Sequence, residues 1–198
     1  MINYTNRLDS AIRKAAWAHE QAGQHRKDTD IPYIIHPVGT MMIASSVTNN
    51  EDILIACLMH DVLEDVDSSI YSQEQMRADF GDHVVEIVKD VTKDGSQDDW
   101  RLRAEAYLER LTTKASGEAV VVSASDKIHN LISILSDYEE VGDQLWQRFS
   151  TKNSIDQLWW YESILIVIKK RNAPTKLCAK LERQVESLLK IVKKGAEK

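Results

Sequence analysis

The sequence predicts an all-α chain folded as a single helical bundle, and three observations predict it. Glycine and proline are scarce, at 7 and 3 of 198 residues, against about 12% in average usage, so elements are long and loops few. Apolar residues recur at three- and four-residue spacings through successive segments, the period of a helix with a buried face. Cap and stop residues punctuate these segments.

The first helix spans about residues 7–22, with Leu8, Ala11, Ile12, Ala15 and Ala18 at helical spacing and Gly23 as its stop. A polar stretch at 24–30 leads into Ile31-Pro32-Tyr33-Ile34-Ile35-His36-Pro37. The two prolines make this an extended or turning segment, with a helix starting at Pro37. Asn50-Glu51-Asp52 is a helix N-terminus, a cap followed by two acids in the first turn. The helix it opens, 51 to about 65, is apolar nearly all round and belongs in the core. Ser72-x-x-Gln75 is a capping box for a short helix closed by Gly81. Asp82 can cap a helix over 84–91, and Asp98 or Asp99 one over 100–113. Val120-Val121-Val122 has the β-branched composition of a strand, but Ile128, Leu131, Ile132 and Leu135 continue at helical spacing. The segment 118–136 is therefore expected to be helical. Asn172-Ala173-Pro174 separates two further helices, 155–171 and 175–194.

Composition excludes several classes. Hydrophobic residues are 43% and charged residues 28% of the chain, which rules out disordered and fibrous proteins. The net charge of −6 argues against nucleic acid as a partner. Cys57 and Cys178 lie far apart and form no metal-type pair, as expected of a reduced, cytoplasmic protein. Residues 1–10 hold no apolar signal run, and the apolar stretch 164–168 is too short for a bilayer, so no membrane association is expected.

The chemistry concentrates in the apolar helix, where His60, Asp61, Glu64 and Asp65 stand close together. Burying carboxylates costs several kcal/mol unless something pairs with them. Glu64 follows His60 by four residues and Asp61 by three, so these groups share a face. A divalent metal between His60 and Asp61 would account for the charge. The alternative is a solvated helix end beside a hydrogen-bonded core histidine.

Three further segments bear on that choice: Gly23-Gln24-His25-Arg26-Lys27, His36 between rigid neighbours, and Asp126-Lys127-Ile128-His129-Asn130. With them the chain resembles the HD-domain phosphohydrolases, and more narrowly the hydrolase domain of RelA/SpoT-type alarmone enzymes, which also occurs alone as small alarmone hydrolases. The order H…HD…D falls on His36, His60-Asp61 and Asp126. The narrower motifs are GQxRK…PYIxHP, HDxxED, FGxxVxxxVxxVTK and DKxHN. They cover about 15–135, with a weaker match at 158–165; the helices at 155–194 would complete one domain over 1–198.

The resemblance implies a helical bundle of the HD-domain type that releases pyrophosphate from the 3′ position of ppGpp or pppGpp. It implies His36, His60, Asp61 and Asp126 as metal ligands, typically for Mn²⁺; the mixed N/O set also suits Fe²⁺ or Zn²⁺. Glu64 and Asp65 match the acidic pair that orients or deprotonates water, with Glu64, on the metal face, the better candidate for the base. Arg26, Lys27 and Asn130 match nucleotide contacts, Ser133 keeps the hydroxyl of a further one, and either Tyr161 supplies the hydroxyl of a family tyrosine or Trp160 replaces it with a stacking surface. Ile132 departs from the usual arginine, and Trp159-Trp160-Tyr161 blurs the register of a family tyrosine. An adenine-containing alarmone is therefore a variant substrate. A broader HD nucleotide phosphatase and a non-catalytic alarmone-binding module are the competing functions.

Other residues read as structural. His129 is expected to pack or hydrogen-bond, His19 to support the Arg26 loop, and His25 and His83 to be exposed. Lys93 is expected as a solvated helix-end lysine with terminal-phosphate contact as the alternative, and Lys127 is similarly divided. Trp146, Phe149, Trp159 and Trp160 read as core or interface, and the basic tail at 190–198 as a solvated helix end.

Overall fold

A computed structural model describes residues 3–196. Those residues form α1 (Asn6–Gln21), α2 (Ile35–Ala44), α3 (Glu51–Met59), α4 (Val62–Asp65), α5 (Gln73–Phe80) and α6 (Asp82–Val91). They continue as α7 (Trp100–Thr113), α8 (Gly117–Val141), a 3-10 helix (Gly142–Arg148), α9 (Ser154–Lys170) and α10 (Thr175–Ala196). Among the described residues there is no strand, only an isolated antiparallel bridge between His25 and Pro32. No described helix is long and apolar enough to cross a membrane. The last two residues of the basic tail lie outside the described residues.

The 25-residue α8 is the axis of the bundle. It contacts α2, α3, α6, α9, α10 and the 3-10 helix. Every residue from Ala119 to Ile128 is buried. That burial holds Val120, Val121 and Val122 helical, because packing outweighs the small β-branched penalty. α3 lies against α1, α2, α6 and α8, and its residues Ile53 to Met59 are all buried. The C-terminal helices close the bundle, with α10 packed on both α8 and α9. Arg171, just after α9, donates to the carbonyls of Leu111 and Ala115 at the end of α7.

Local signals fix most helix starts. Thr5, Asn50, Asp99, Ser116 and Asn153 each accept a backbone N–H from their own first turn, worth about 1 kcal/mol apiece. The Ser72–Gln75 capping box forms in both directions. Four expectations need correction. The helix expected from Pro37 begins at Ile35, since proline is tolerated in a first turn, where its missing N–H goes unused. Asp82 does not cap α6: Gly81, at φ +87°, is the N-cap, and the Asp82 carboxylate instead takes Arg77 Nε at 2.5 Å. α8 runs past Ser136 to Val141, until Gly142 turns the chain at φ +59°.

The fourth correction shapes the site. The helix expected over 51–65 is interrupted, α3 ending at Met59 and α4 starting at Val62. The Asp61 carbonyl accepts the N–H groups of Glu64 and Asp65 at 3.2 and 2.8 Å, so a fresh turn starts there.

Candidate active site

Three separate elements bring four side chains together. The first turn of α2 carries His36, the α3–α4 break carries His60 and Asp61, and the middle of α8 carries Asp126. His36 and His60 face each other through their Nε2 atoms, 3.2 Å apart. Asp61 Oδ2 lies 3.4 Å from His36 Nε2 and 3.1 Å from His60 Nε2. Asp126 Oδ1 lies 3.2 Å from His36 Nε2 and 3.8 Å from His60 Nε2. Both histidines and Asp126 are buried.

Surrounding groups aim these atoms. His60 Nδ1 donates to the Cys57 carbonyl at 2.9 Å, which turns Nε2 inward. His36 Nδ1 meets His129 Nδ1 at 3.0 Å. The Tyr33 hydroxyl donates to Asp61 Oδ2 at 2.6 Å. Lys127 Nζ, buried against the rings of Tyr107 and Trp160, ion-pairs with Asp126 Oδ2. Asn130 donates to Asp126 Oδ1 at 2.5 Å and accepts from Arg26 Nη2 at 3.1 Å.

The charges are strongly coupled. Burial opposes ionisation of Asp126, but Lys127 and then the two histidines outweigh it and hold the carboxyl well below its usual range. Asp61 is likewise held low against burial by His60 and His36. Burial disfavours the His60 cation, yet Asp61 and Asp126 lift its pKa to about 10. His129 is pushed down to about 4 by burial, His36 and Arg26. Asp65 is pushed up to about 7 by burial and by its neighbours Asp61 and Glu64.

The donor set fits a divalent cation. One ligand atom each from His36, His60 and Asp126 lies within 4.8 Å of the others, and Asp61 adds an oxygen beside both imidazoles. The outward Nδ1 atoms are both engaged by protein, leaving two Nε2 atoms turned toward two carboxylates. Such a mixed set suits first-row divalent metals.

A cavity of about 340 Å³ opens beside the cluster, and Arg26, Lys27, Asp61, Glu64, Asp65, Asp126, Asn130, Ser133 and Tyr161 all line it. His36 and His60 are buried at the cluster beside it. Ile132 lies outside the lining and is 40% exposed. Lys93 is not a solvated lysine: its N–H and Nζ bind the two Glu64 oxygens at 2.9 and 3.2 Å. His19 supports the Arg26 loop as expected, with Nδ1 2.5 Å from Gln24 Oε1, and Gln24 in turn donates to the Asp65 carbonyl at 2.8 Å. His25 and His83 are exposed, as expected, although His83 Nε2 lies 2.9 Å from Glu118. Trp146 and Trp160 are buried, and Phe149 and Trp159 pack on the core.

Sequence reasoning missed Tyr33, Arg103 and Arg148 as cavity residues. Tyr33 sat inside a motif already noted, next to the prolines that fix its position. Arg103 and Arg148 carry no local signal, since only the fold brings α7 and the 3-10 helix to the cavity.

Comparison with known proteins agrees with this architecture. The chain is 29% identical over 141 residues to guanosine-3′,5′-bis(diphosphate) 3′-pyrophosphohydrolase of Aquifex aeolicus, a match covering 71% of this chain and 20% of that protein. It is 35% identical over 126 residues to guanosine-3′,5′-bis(diphosphate) 3′-pyrophosphohydrolase MESH1 of Drosophila melanogaster, covering 61% and 65%. The chain thus spans less than two thirds of either relative. A solved structure described as a metazoan ortholog of SpoT that hydrolyzes ppGpp superposes with a TM-score of 0.77 at 25% identity, over 94% of this chain and 98% of that one. The HD domain profile matches residues 11–155, a span that includes every residue of the histidine–aspartate cluster, and the chain belongs to that family.

Proposed function

We propose that the chain hydrolyses the 3′-pyrophosphate of (p)ppGpp-type alarmones, giving GDP or GTP and pyrophosphate. One observation carries this reading. In a single cavity, Asp65 and Glu64 stand beside the histidine–aspartate cluster, while Arg26, Lys27 and Lys93 line the same space. Acids that handle a proton next to cations that hold phosphate are what phosphate-ester hydrolysis requires. The relatives named for this reaction support the same substrate class.

In this proposal His36, His60, Asp61 and Asp126 hold one divalent cation, assigned as Mn²⁺. A cation there supplies a water of lowered pKa and neutralises charge developing on phosphorus. Asp65, with its raised pKa, accepts the proton of the attacking water, whose oxygen joins phosphorus as the 3′ oxygen leaves and takes a proton from solvent to become the 3′-hydroxyl of the product. Glu64, held by Lys93, fixes the α4 end and supports that water. Arg26 presents a planar guanidinium to the base, stacked toward Tyr33 at 5.7 Å. Lys27 faces the phosphates, and Asn130, Ser133 and Tyr161 contact the nucleoside. A reducing cytoplasmic setting accords with two free cysteines, Cys57 being buried.

The test is product analysis with ppGpp, pppGpp and ppApp in Mn²⁺, with Asp61→Ala and a chelator as controls. Pyrophosphate with the matching 5′-nucleotide, lost in both controls, is the expected result. Survival of all three substrates, or release of orthophosphate alone, defeats the proposal.

A further inference from the structure

We infer that His129 is a positioning residue that fixes the His36 imidazole, and that residue 39 is glycine because the His129 ring fills the space a side chain there would occupy. The inference rests on the proposed cation site.

An imidazole that ligates a metal through Nε2 must carry its proton on Nδ1, and that N–H needs an acceptor. The usual acceptor is a carboxylate or a backbone carbonyl, as Cys57 provides for one histidine of this site. His36 meets a second imidazole instead, His129 Nδ1 at 3.0 Å. Two ring nitrogens at that distance share one proton. With His36 as donor, His129 accepts through Nδ1 and carries its own proton on Nε2. The rings meet edge to face, with centroids 4.9 Å apart and planes at 61°. This geometry sets both the tautomer and the tilt of His36.

The second observation comes from the opposite helix. Gly39 stands one turn after His36 on α2, and a Cβ there would lie 2.0 Å from His129 Cδ2 and 2.2 Å from its Nε2. No side chain fits without driving the ring away. Gly39 is not among the glycines with positive φ, which are Gly23, Gly81 and Gly142. Its backbone has no need of glycine, and mid-helix glycine is otherwise unfavourable against alanine. The ring is what the missing Cβ admits.

The experiment is a double-mutant cycle on the full chain, with Gly39→Ala, His129→Ala and both together. Mn²⁺ affinity is measured by calorimetry, and melting temperature in excess chelator. His129→Ala and Gly39→Ala should each weaken Mn²⁺ binding about tenfold or more, the scale seen when an outer partner of a ligating histidine is lost. The double variant should bind no more weakly than His129→Ala alone. In chelator, Gly39→Ala should lower the melting temperature of the wild-type chain but raise it once the ring is gone. His129→Asn, whose amide oxygen can accept at the Nδ1 position, should recover most of the lost affinity.

Wild-type affinity in both single variants overturns the inference while leaving the cation site standing. So do additive losses, or an His129→Asn chain as weak as His129→Ala. A wild-type chain that binds no divalent cation overturns both this inference and the proposed function. If Gly39→Ala fails to fold, His129→Ala against His129→Asn decides the question alone.

Discussion

Lys93 holds both oxygens of the Glu64 carboxylate, its backbone N–H on Oε2 at 2.9 Å and its ammonium on Oε1 at 3.2 Å. Among the described residues, the carboxylate of Asp65, the next residue, has only a long hydrogen bond of 3.5 Å from the Tyr33 hydroxyl. Glu64 is thereby tied to the segment just after α6, and in the proposed reaction Asp65 is the acid that exchanges the proton.

Asp65→Asn should therefore lower kcat for alarmone hydrolysis by about 100-fold or more, the usual scale for a lost general base, with Mn²⁺ affinity close to wild type. Glu64→Gln should cost less in kcat and also lower the melting temperature, because Lys93 loses its counter-charge. Steady-state kinetics and calorimetry on the two variants check this. A larger kcat loss in Glu64→Gln than in Asp65→Asn reverses the assignment.

The rate should rise with pH through an acidic limb governed by Asp65. A base works deprotonated, and this carboxyl is pushed up to about 7 by burial and by Asp61 and Glu64. A bound cation draws that value down, so the limb should fall between the ordinary aspartate value of 3.8 and about 7. Activity should thus be lost as pH falls through that window. The pH profile of kcat in saturating Mn²⁺ measures it, and Asp65→Asn should flatten the limb in whatever activity remains.

Much of this arrangement is legible along the chain, and the limits are physical. Caps such as Ser72, Asn50 and Asp99 act within one turn, so their sequence context is sufficient. His36, His60 and Asp126 stand out because charge within apolar segments demands a partner. The break at His60–Asp61 does not stand out, since nothing between Glu51 and Asp65 disfavours a continuous helix locally. It lies where α2, α3 and α8 pack on one another, contacts between segments distant in sequence. The Lys93–Glu64 pair and the cavity faces of Arg103 and Arg148 are equally invisible, being contacts between elements distant in sequence.

Removing the cation should cost stability as well as activity. A ligand that binds only the folded state stabilises it by about 2.7 kcal/mol at a hundred times its Kd. For a chain of this size that is a shift of roughly 5–10 °C in Tm. Mn²⁺ should raise the melting temperature over a chelator control, and Asp126→Ala should abolish the shift. An equal shift in Asp126→Ala would place the cation elsewhere.

Arg26→Lys should raise KM about tenfold while leaving kcat within a few-fold. Lysine keeps the charge, but it loses the planar face over Tyr33 and the bond that Nη2 makes to Asn130. Kinetics with ppGpp would show the split. A fall in kcat with unchanged KM would mean that Arg26 acts on the reacting phosphate rather than on the base.

Lys127→Met separates the scaffold from the cation. Lys127 is buried beside Asp126, and removing one partner of a buried ion pair typically costs about 3–5 kcal/mol, because the other charge is left uncompensated. In the chelated protein the variant should therefore melt well below wild type. Mn²⁺ should recover more stability in the variant than in wild type, since a cation at Asp126 replaces part of the lost positive charge. Thermal melts of both chains, with chelator and with Mn²⁺, provide the four values needed. Equal Mn²⁺ stabilisation in the two chains would show that the ammonium and the cation do not act on the same carboxylate.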